Sequence, residues 1–318
     1  MDGQIKTIAV VGGGMAGLTC ASALKAAGLA VMVFDKGRGP GGRMAARRAE
    51  VGGVTISFDH GAQYFTAESK AFAKQIDQWH KAGVVEPWAA AGGDAWVGVP
   101  GMNGPIRYMS LENEVRWGTR VEAIDRNDSG WEITTSDRVH NVDAVVIAVP
   151  AEQAAELLKG PAASHSELAD SVSSDPCWAV MASFDQRLRA AQDCLRQPSD
   201  AIAWAARNSA KPGRSGEECW VIHASAGWSK ENLEVESDAI AQLLLKELLV
   251  AIGSDPIEPA HLAAHRWRYA FPQTNSEQPA IWDDELAIGI CGDYLISPSV
   301  EGAWLSGRAL AQRLLSRI

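Results

Sequence analysis

Three glycines near the start of the chain, Gly12, Gly14 and Gly17, have the spacing of a phosphate-binding turn. They follow the apolar run TIAVV at residues 7–11, which is rich in β-branched residues and predicts a buried strand. Gly12 permits a tight turn after that strand, Gly14 lets the backbone approach a pyrophosphate, and Gly17 lets the next helix pack against the sheet. The spacing therefore predicts that phosphates bind at the N-terminus of this helix, where N–H groups and a partial positive charge face them.

The elements around these glycines form a complete strand–helix–strand unit. The pattern predicts a helix from about Met15 to Ala27, ended by Gly28, and a second strand at 30–34 that leads to Asp35. At the end of that strand, the Asp35 carboxylate can accept hydrogen bonds from the ribose hydroxyls of a dinucleotide. We therefore interpret this region as a dinucleotide-binding element, and the motif alone does not separate FAD from NAD.

A second glycine motif follows within the basic run KGRGPGGRMAARR at residues 36–48. Here Gly41 and Gly42 precede Arg43, an arrangement that resembles the double-glycine and arginine element of the glutathione-reductase-type flavoproteins, particularly their amine oxidase branch. The resemblance implies that Arg43 lies near the FAD pyrophosphate. A guanidinium suits that position because its fork of N–H donors matches phosphate oxygens.

The far end of the chain carries a second signature of the same flavoproteins. The strand-like run LAIGICGD at residues 286–293 ends in Asp293, and a helix is predicted to begin close to Ser299 or Val300. The resemblance implies that Asp293 contacts the ribityl or pyrophosphate region of FAD. It also implies that the helix N-terminus points at the isoalloxazine ring, where it would stabilise negative charge on the reduced flavin. Gly302 is expected to permit close approach of the backbone to that ring.

Two intermediate stretches agree with a flavin fold. By resemblance, the backbone at Val121 bonds to adenine, and residues 142–150 form the strand before a bend under the FAD. Residues 127–130 predict a hairpin turn between two alternating stretches. We expect FAD to bind noncovalently, since no cysteine lies where a covalent flavin link is expected. The candidate cofactor-binding residues are Gly12, Gly14, Ala16, Gly17, Asp35, Lys36, Arg43, His60, Val121, Asp293, Val300 and Gly302.

The predicted fold class is α/β, with a Rossmann-type FAD-binding domain of the glutathione-reductase and amine oxidase kind and a discontinuous α+β substrate domain. The flavin motifs place residues 1–70, 112–150 and 285–318 in the first domain, so residues 71–111 and 151–284 fall to the second. Within the second domain, the patterns predict strands at 178–184, 201–206 and 219–224 and a helix at about 237–252.

The segment HGAQYF at residues 60–65 supplies the candidate catalytic residues His60, Gln63 and Tyr64. By resemblance to the flavoproteins, this glycine-containing segment passes the isoalloxazine ring, and His60 could donate a hydrogen bond to the flavin or the substrate. A histidine satisfied within the protein core is the alternative for His60. We find no convincing Ser/His/Asp set, no activated cysteine and no metal-binding spacing.

All 12 tryptophans lie after residue 78. They either fill the core and the domain seam or line an aromatic, water-poor cavity in which a flat substrate stacks. Four arginines could meet the phosphates of such a substrate, namely Arg187, Arg189, Arg266 and Arg268. The candidate substrate-binding residues are Tyr64, Trp96, Arg187, Trp228, Trp267 and Trp304.

Several runs together resemble bacterial members of the renalase family, over both ends and most of the chain. The resemblance implies an FAD-dependent oxidase that converts misreduced nicotinamide dinucleotides, 2- or 6-dihydroNAD(P), to NAD(P)+. In this chemistry a hydride passes to flavin N5, and O2 is reduced to hydrogen peroxide. The runs are GGGMAGLTCASAL, FDKGRGPGGRMA, FDHGAQYF, HRWRYAFP and CGDYLISPSVEGAWLSGRALA.

The composition of the chain limits the classes of molecule that it is expected to bind. The formal net charge of −10 works against nonspecific binding to nucleic acid or anionic lipid. The 5 cysteines are scattered, which indicates structural thiols in a reducing compartment. There is neither a signal-peptide pattern nor an apolar run approaching the roughly 20 residues that span a bilayer. We expect a cytoplasmic protein whose partners are a dinucleotide substrate and O2, with no nucleic acid, membrane or obligate protein partner.

Three alternative functions stay open on the sequence. The first is a flavin amine oxidase acting on a small amine or polyamine, whose aromatic cage the tryptophans could form. The second is a flavin-binding sensor without turnover, for which no interaction segment is visible. The third is a desaturase of a lipid-like substrate, which would favour a longer aliphatic tunnel than this composition indicates.

Overall fold

Eighteen strands are described in the computed structural model, which describes residues 5–214, 216–274, 276 and 278–317. The strands are β1 (Thr7–Val11), β2 (Ala30–Asp35), β3 (Arg47–Val51), β4 (Val54–Phe58), β5 (Val85–Pro87), β6 (Trp96–Gly98), β7 (Glu114–Trp117), β8 (Val121–Asn127), β9 (Gly130–Thr135), β10 (Val139–Val142), β11 (Ala144–Ile147), β12 (Ser174–Phe184), β13 (Cys194–Arg196), β14 (Ile202–Arg207), β15 (Glu218–Ala224), β16 (His261–Pro272), β17 (Ile281–Asp283) and β18 (Ile288–Ile290).

Eight α-helices accompany these strands over the described ranges, and each is too short or too polar to span a bilayer. The helices are α1 (Met15–Ala26), α2 (Lys70–Lys81), α3 (Gly104–Leu111), α4 (Ala151–Leu158), α5 (Ala163–Asp170), α6 (Ala226–Glu231), α7 (Ser237–Ala251) and α8 (Val300–Leu315).

The chain forms two units, and each contains segments distant in sequence. The first unit comprises residues 1–42, 106–173 and 272–318, and the second comprises residues 43–105 and 174–271. All four internal boundaries differ from the predicted ones, so residues 43–70, 106–111, 151–173 and 272–284 fall in the other unit. The β3–β4 hairpin belongs to the second unit because Ile56 and Phe58 pack in a core cluster with Met181 and Val221. Helices α4 and α5 belong to the first unit because their apolar faces join its core.

The first unit contains the predicted Rossmann-type sheet. Its strand order is β17-β18-β11-β1-β2-β7, with β1 parallel to both β2 and β11. The apolar runs of these strands are buried on both faces. One face packs against the β10-β9-β8 sheet and helices α4 and α5, and α8 packs against β18 through Leu310. The predicted βαβ opening and the hairpin between β8 and β9 are confirmed, and the α/β fold class is confirmed with them.

Helix α8 packs closely on α1 through Gly307, a residue that was not among the predicted site residues. A Cβ atom added to Gly307 would overlap the carbonyl oxygen of Ala16. This close approach fixes the N-terminal half of α8 beside the phosphate-binding helix. The two flavin signatures, distant in sequence, are therefore joined by direct backbone packing.

The second unit is built on a five-stranded sheet of order β13-β14-β15-β12-β16. Alternation along β15 places Trp220 and Ile222 in the core cluster that contains α7, and Cys219 and Val221 in the cluster that contains the β3–β4 hairpin. We call the second of these surfaces the hairpin face. By the same period of two, His223 extends the hairpin face at the end of β15.

Strand β16 repeats this alternation. Leu262 and Ala264 pack with the α7 cluster, whereas Ala263 packs with the hairpin cluster. Every second residue of β16 lies on the same face as Ala263, and these residues include His261, His265 and Trp267. Strand β16 therefore adds two histidines and a tryptophan to the hairpin face.

Candidate functional site

In the phosphate-binding turn of the first unit, the fold itself requires glycine at two positions, and the Cβ position of a third glycine is open. Gly12 has φ +113°, and a Cβ atom there would overlap the Ala148 carbonyl oxygen. A Cβ atom on Gly17 would overlap the Gly12 carbonyl oxygen. A Cβ atom on Gly14 would meet nothing within 4 Å. Gly12 and Gly17 therefore maintain the turn, and Gly14 presents a bare backbone surface that a ligand can approach.

The N-terminus of α1 is suited to an anion. Its N-cap residue, Gly14, provides no side-chain hydrogen bond, and the first turn contains no acidic residue. No cap side chain therefore accepts hydrogen bonds from the first N–H groups of the helix, and no acidic side chain in the first turn offsets its partial positive charge. This arrangement fits the pyrophosphate of a dinucleotide.

Asp35 organises the loop beside this turn. Its Oδ2 accepts a 2.7 Å hydrogen bond from the Gly13 N–H, and its Oδ1 accepts a 2.6 Å bond from the Gly37 N–H. Because each carboxylate oxygen has a second lone pair, Asp35 can still accept a ribose hydroxyl. That role stays a prediction.

The second glycine motif meets the first. Gly42 has φ +54°, a left-handed conformation that favours glycine, and its Cβ position lies 3.6 Å from the Cα atom of Gly14. Lys36 is exposed and donates to Gln153 Oε1 at 2.8 Å. Burial and Arg120 lower the pKa of Lys36 against the opposing effect of Asp35.

The remaining predicted cofactor ligands fall in well-defined places. Val121 is buried and begins β8, the edge strand of the β10-β9-β8 sheet. Asp293 is buried directly after Gly292, whose N–H donates to Ser306 Oγ on α8 at 2.9 Å. Arg43 belongs to the second unit, where one guanidinium N–H donates to the Ala270 carbonyl at 3.4 Å.

Helix α8 begins at Val300, as predicted, and Ser299 caps it by accepting a 2.9 Å bond from the Gly302 N–H. The reason why residue 302 must be glycine differs from the expected one, which was close approach to the flavin ring. A Cβ atom there would overlap the carbonyl oxygen of Ser297. The glycine is therefore required by the chain's own preceding loop, whatever approaches the helix from outside.

A buried charge network lies at the end of the hairpin face in the second unit. Asp59 is 1% exposed and accepts hydrogen bonds from the Met102 N–H at 2.8 Å, Lys211 Nζ at 3.2 Å and an Arg214 guanidinium at 2.5 Å. Burial alone raises the pKa of Asp59, but Lys211 and Arg214 outweigh it and hold that pKa below its usual value. The carboxylate is thus ionised and fully engaged.

Lys211 connects this network to the predicted catalytic segment. Its ammonium donates to Gln63 Oε1 at 3.2 Å and lies 5.2 Å from the centre of the Trp88 ring. Burial, opposed by Asp59, lowers the pKa of Lys211 to about 8. Gln63 in turn donates to the carbonyl groups of Asp59 and Gly61. Gln63 therefore holds the 59–63 turn in place, which is a positioning role.

His60 is surrounded by aromatic rings. Its imidazole stacks on Trp267 with ring centres 5.1 Å apart and meets His265 edge-on at 4.9 Å. Its carbonyl accepts hydrogen bonds from Trp267 Nε1 at 2.9 Å and His223 Nε2 at 3.1 Å. The structure thus brings the predicted residues His60 and Trp267 together, with two histidines that the sequence reading did not select.

The imidazole of His60 stays neutral. Burial, followed by His265 and Arg47, lowers its pKa to about 3, and burial lowers the pKa of His223 to about 4. His60 Nδ1 is buried and has no hydrogen-bond partner among the described residues. A neutral imidazole with a free nitrogen can donate to or accept from a ligand, depending on its tautomer.

Tyr64 belongs to an aromatic shelf, which we define as Tyr64, Trp88 and Trp204. The Tyr64 and Trp204 ring centres are 5.3 Å apart, and those of Trp88 and Trp204 are 6.4 Å apart. The guanidinium of Arg196 lies over Trp204 at 4.7 Å and over Tyr64 at 5.4 Å, and it donates to the Tyr64 hydroxyl at 3.0 Å. The shelf therefore combines flat apolar surface with fixed positive charge.

Comparison with known families identifies the chain. The model of the family described as flavin containing amine oxidoreductase matches residues 89–315, more than two thirds of the chain. The chain belongs to this family. The NAD(P)-binding Rossmann-like domain matches residues 10–79, which contain both glycine motifs. A flavin is therefore the cofactor of this amine oxidoreductase-family protein, and the nucleotide features above fit FAD.

Solved structures of similar fold support the architecture of this amine oxidoreductase-family chain. A candidate protoporphyrinogen oxidase from Exiguobacterium sp. 255-15 has a TM-score of 0.78 at 12% identity, covering 98% of this chain and 99% of that one. A putrescine oxidase bound to putrescine has a TM-score of 0.68 at 14% identity, with 98% and 99% covered. Cyclohexylamine oxidase from Brevibacterium oxydans IH-35A has a TM-score of 0.64 at 11% identity, with 99% of each covered.

Four predicted substrate residues of the amine oxidoreductase-family chain lie elsewhere. Trp96 meets His80 edge-on at 5.3 Å. Trp228 packs on the α7 cluster, on the side of the sheet opposite to the hairpin face. Arg187 is exposed and lies 3.7 Å from Asp193. The fourth, Trp304, is buried on α8 of the first unit. Each of these side chains has a packing or ion-pair partner within its own unit, and a role toward a substrate stays a prediction.

Two other arginines predicted to meet phosphates share a single carboxylate partner. Arg266 and Arg268 both bind the carboxylate of Glu234, at 2.9 Å and 2.7 Å. Asp59, Lys211 and Arg196 belong to the site but were not predicted from the sequence. Alternation along 219–224 and 261–267 is the signal that could have selected His223 and His265, since it places them on the same face as the catalytic segment.

Proposed function

We propose that this flavoprotein is a renalase-like oxidase that converts 2- or 6-dihydroNAD(P) to NAD(P)+. When bound, FAD supplies a hydride acceptor at N5, and O2 is reduced to hydrogen peroxide as the flavin is reoxidised. The chain would hold FAD noncovalently through Gly12, Gly14, Asp35, Asp293 and the N-termini of α1 and α8. A cytoplasmic location, with no obligate protein or nucleic-acid partner, belongs to the same proposal.

The observation that carries this proposal is the charge of the second unit's site. Lys211 and Arg214 both bind the Asp59 carboxylate, and Arg196 lies on the shelf. Because Asp59 already binds two of these cations, the local balance is positive in a chain of net charge −10. A positive site favours a substrate that carries phosphates over a cationic amine.

The neutral histidines agree with hydride chemistry. A dihydronicotinamide becomes an aromatic pyridinium when it loses a hydride, so the reaction needs orientation and exclusion of water more than it needs a strong base. His60 and Trp267 present stacked rings, and the shelf presents two indoles and a phenol. These groups suit a flat ring, and His60 Nδ1 is placed to hydrogen-bond to it.

Anaerobic stopped-flow mixing tests the proposal. The purified yellow protein is mixed with 2- and 6-dihydroNAD(P), with ordinary 4-dihydroNAD(P), and with putrescine and cyclohexylamine, while flavin absorbance is followed. We expect one or both of the unusual isomers to bleach the flavin at least ~100-fold faster than the other compounds, as differential transition-state binding of about 2.7 kcal/mol would give. Rapid bleaching by an amine alone would contradict the proposal.

Amine oxidation is the second candidate function. It is favoured by the likeness to putrescine and cyclohexylamine oxidases and by the aromatic shelf, which could hold a neutral amine. The same experiment separates it from the first candidate, and the absence of bleaching by every compound would instead favour a sensor. Heat or acid treatment tests the cofactor attachment, since a noncovalent FAD leaves the precipitated protein.

A further inference from the structure

Arg196 differs from Arg207 and Arg214 of the same unit in having no carboxylate partner among the described residues. Arg207 binds Asp193 at 2.8 Å and Glu218 at 3.1 Å, and Arg214 binds Asp59 at 2.5 Å. No carboxylate of the described residues lies within 4.0 Å of the Arg196 guanidinium, which instead donates to the Tyr64 hydroxyl at 3.0 Å and the Ala91 carbonyl at 2.6 Å. Its charge is therefore uncompensated within the described chain.

The position of this charge is fixed. The guanidinium lies over the Trp204 ring at 4.7 Å and over the Tyr64 ring at 5.4 Å. Its two hydrogen bonds hold it against these rings. A guanidinium has five N–H donors, so donors remain after these two bonds. A held, partly unused fork of donors is pre-organised for the oxygens of an anion because little side-chain freedom is lost when the anion binds.

An independent feature of the same shelf also points to an acceptor. Trp204 is 8% exposed, and its indole N–H is buried with no hydrogen-bond partner among the described residues. An unpaired buried donor is unfavourable, so a ligand oxygen that reaches it would gain more than it would at a solvated site.

We infer that Arg196, stacked on Tyr64 and Trp204, binds a phosphate group and makes this shelf the phosphate subsite of the substrate. The inference rests on the proposed function in assigning that phosphate to a dihydronicotinamide nucleotide. It extends the proposal because it names the residue that distinguishes a nucleotide from the free reduced ring. Arg196 acts in binding and takes no part in hydride transfer.

Calorimetric titration of the FAD-loaded protein with inorganic pyrophosphate tests the subsite without any turnover. We compare the wild type with Arg196→Gln and with Arg48→Gln, an exposed arginine of the same unit that serves as the control. We expect Arg196→Gln to weaken pyrophosphate binding ~10- to 100-fold, the range for lost charge-assisted hydrogen bonds, and Arg48→Gln to leave it within about twofold. Equal binding by the wild type and Arg196→Gln would overturn the inference.

Substrate truncation provides the second readout. The value of kcat/KM is measured with the dihydronicotinamide riboside, mononucleotide and dinucleotide. We expect Arg196→Gln to reduce kcat/KM for the two phosphate-bearing substrates ~10-fold or more and to change the riboside by less than about twofold. Equal losses for all three would mean that Arg196 only supports the shelf, which overturns the inference. If no dihydronicotinamide bleaches the flavin, the proposed function fails, and the calorimetry still decides the subsite.

Discussion

The nucleotide turn of the first unit and the polar site of the second are built from different materials. The turn uses glycines, backbone N–H groups and a helix end that lie close together in sequence between Gly12 and Gly42. The polar site uses charged and aromatic side chains from distant segments, and Asp59 meets Lys211 across 152 residues of chain. The first presents bare backbone, and the second is a cluster of charged and aromatic side chains that bind one another.

This difference decides how each region can fail. A turn made of glycine is damaged by adding an atom, because the missing Cβ positions of Gly12 and Gly17 are where carbonyl oxygens already lie. A buried charge network is damaged by removing an atom, because the remaining charges lose their compensation. The three predictions below use this contrast, each changing a single side chain.

The largest effect is expected for Asp59→Asn in the second unit. The change leaves Lys211 and Arg214 buried without their carboxylate, and breaking a buried ion pair in this way costs about 3–5 kcal/mol of the free energy of unfolding. Urea denaturation followed by tryptophan fluorescence measures the loss.

The matched control is Asp185→Asn, since Asp185 is an exposed carboxylate of the same unit. Its free energy of unfolding should stay within about 0.5 kcal/mol of the wild type. The double variant Asp59→Asn with Lys211→Met should recover part of the loss, because it removes one of the two uncompensated cations. Equal stability of Asp59→Asn and Asp185→Asn would refute the view that the network is a single electrostatic unit.

In the first unit, Gly17→Ala and Gly14→Ala separate the fold from the ligand surface. The methyl group of Gly17→Ala overlaps the Gly12 carbonyl, so we expect a loss of about 1–3 kcal/mol in the free energy of unfolding and a largely flavin-free protein. Gly14 has φ −83° and open space at its Cβ position, so Gly14→Ala should fold with stability within about 0.5 kcal/mol of the wild type.

The dissociation constant of FAD then reports on the ligand surface. If Gly14 is where the pyrophosphate approaches, Gly14→Ala weakens FAD binding ~10-fold or more, since even one displaced charge-assisted hydrogen bond is worth about 1.4 kcal/mol. The ratio of flavin absorbance at 450 nm to protein absorbance, measured during dialysis against FAD, gives that constant. Wild-type affinity in Gly14→Ala would move the phosphate site away from this turn.

The same contrast explains what could be predicted from the sequence. The bounds of β1, α1 and β2 were predicted to within one residue, because the apolar periods and the glycines that interrupt them are local signals. Helix α7 and strands β12, β14 and β15 were found for the same reason. Gly307 was missed because its partner, Ala16, lies at the other end of the chain, and nothing local marks a glycine within a helix as a packing contact.

The polar site was predicted only in part. His60 and Trp267 were selected, but Lys211 and Arg196 lie in segments whose local pattern is that of an ordinary loop and an edge strand. Their importance depends on which face of the five-stranded sheet meets the 59–64 turn. Conversely, a sequence does not reveal that Arg187 lies beside Asp193 or that Arg266 and Arg268 share Glu234, and their role toward phosphates stays a prediction.

The last effect is negligible at neutral pH, grows only towards acid pH, and concerns the second unit alone. The pKa of His60 is lowered to about 3 and that of His223 to about 4, whereas both groups titrate near 6.5 when unfolded. Between pH 6.5 and about 4 the unfolded chain therefore binds more protons, so the free energy of unfolding must fall as the pH falls. Each histidine contributes a slope of at most about 1.4 kcal/mol per pH unit.

His223→Gln tests this slope, since glutamine keeps an N–H donor for the His60 carbonyl but does not titrate. We expect the variant to lose stability less steeply than the wild type from pH 6.5 to 4, as measured by urea denaturation at each pH. Asp59 does not obscure the result, because its lowered pKa contributes stability that is lost only at more acid pH. An unchanged slope in His223→Gln would show that this imidazole is not held neutral by the second unit, and would leave the hairpin face without the uncharged character on which a dihydronicotinamide site depends.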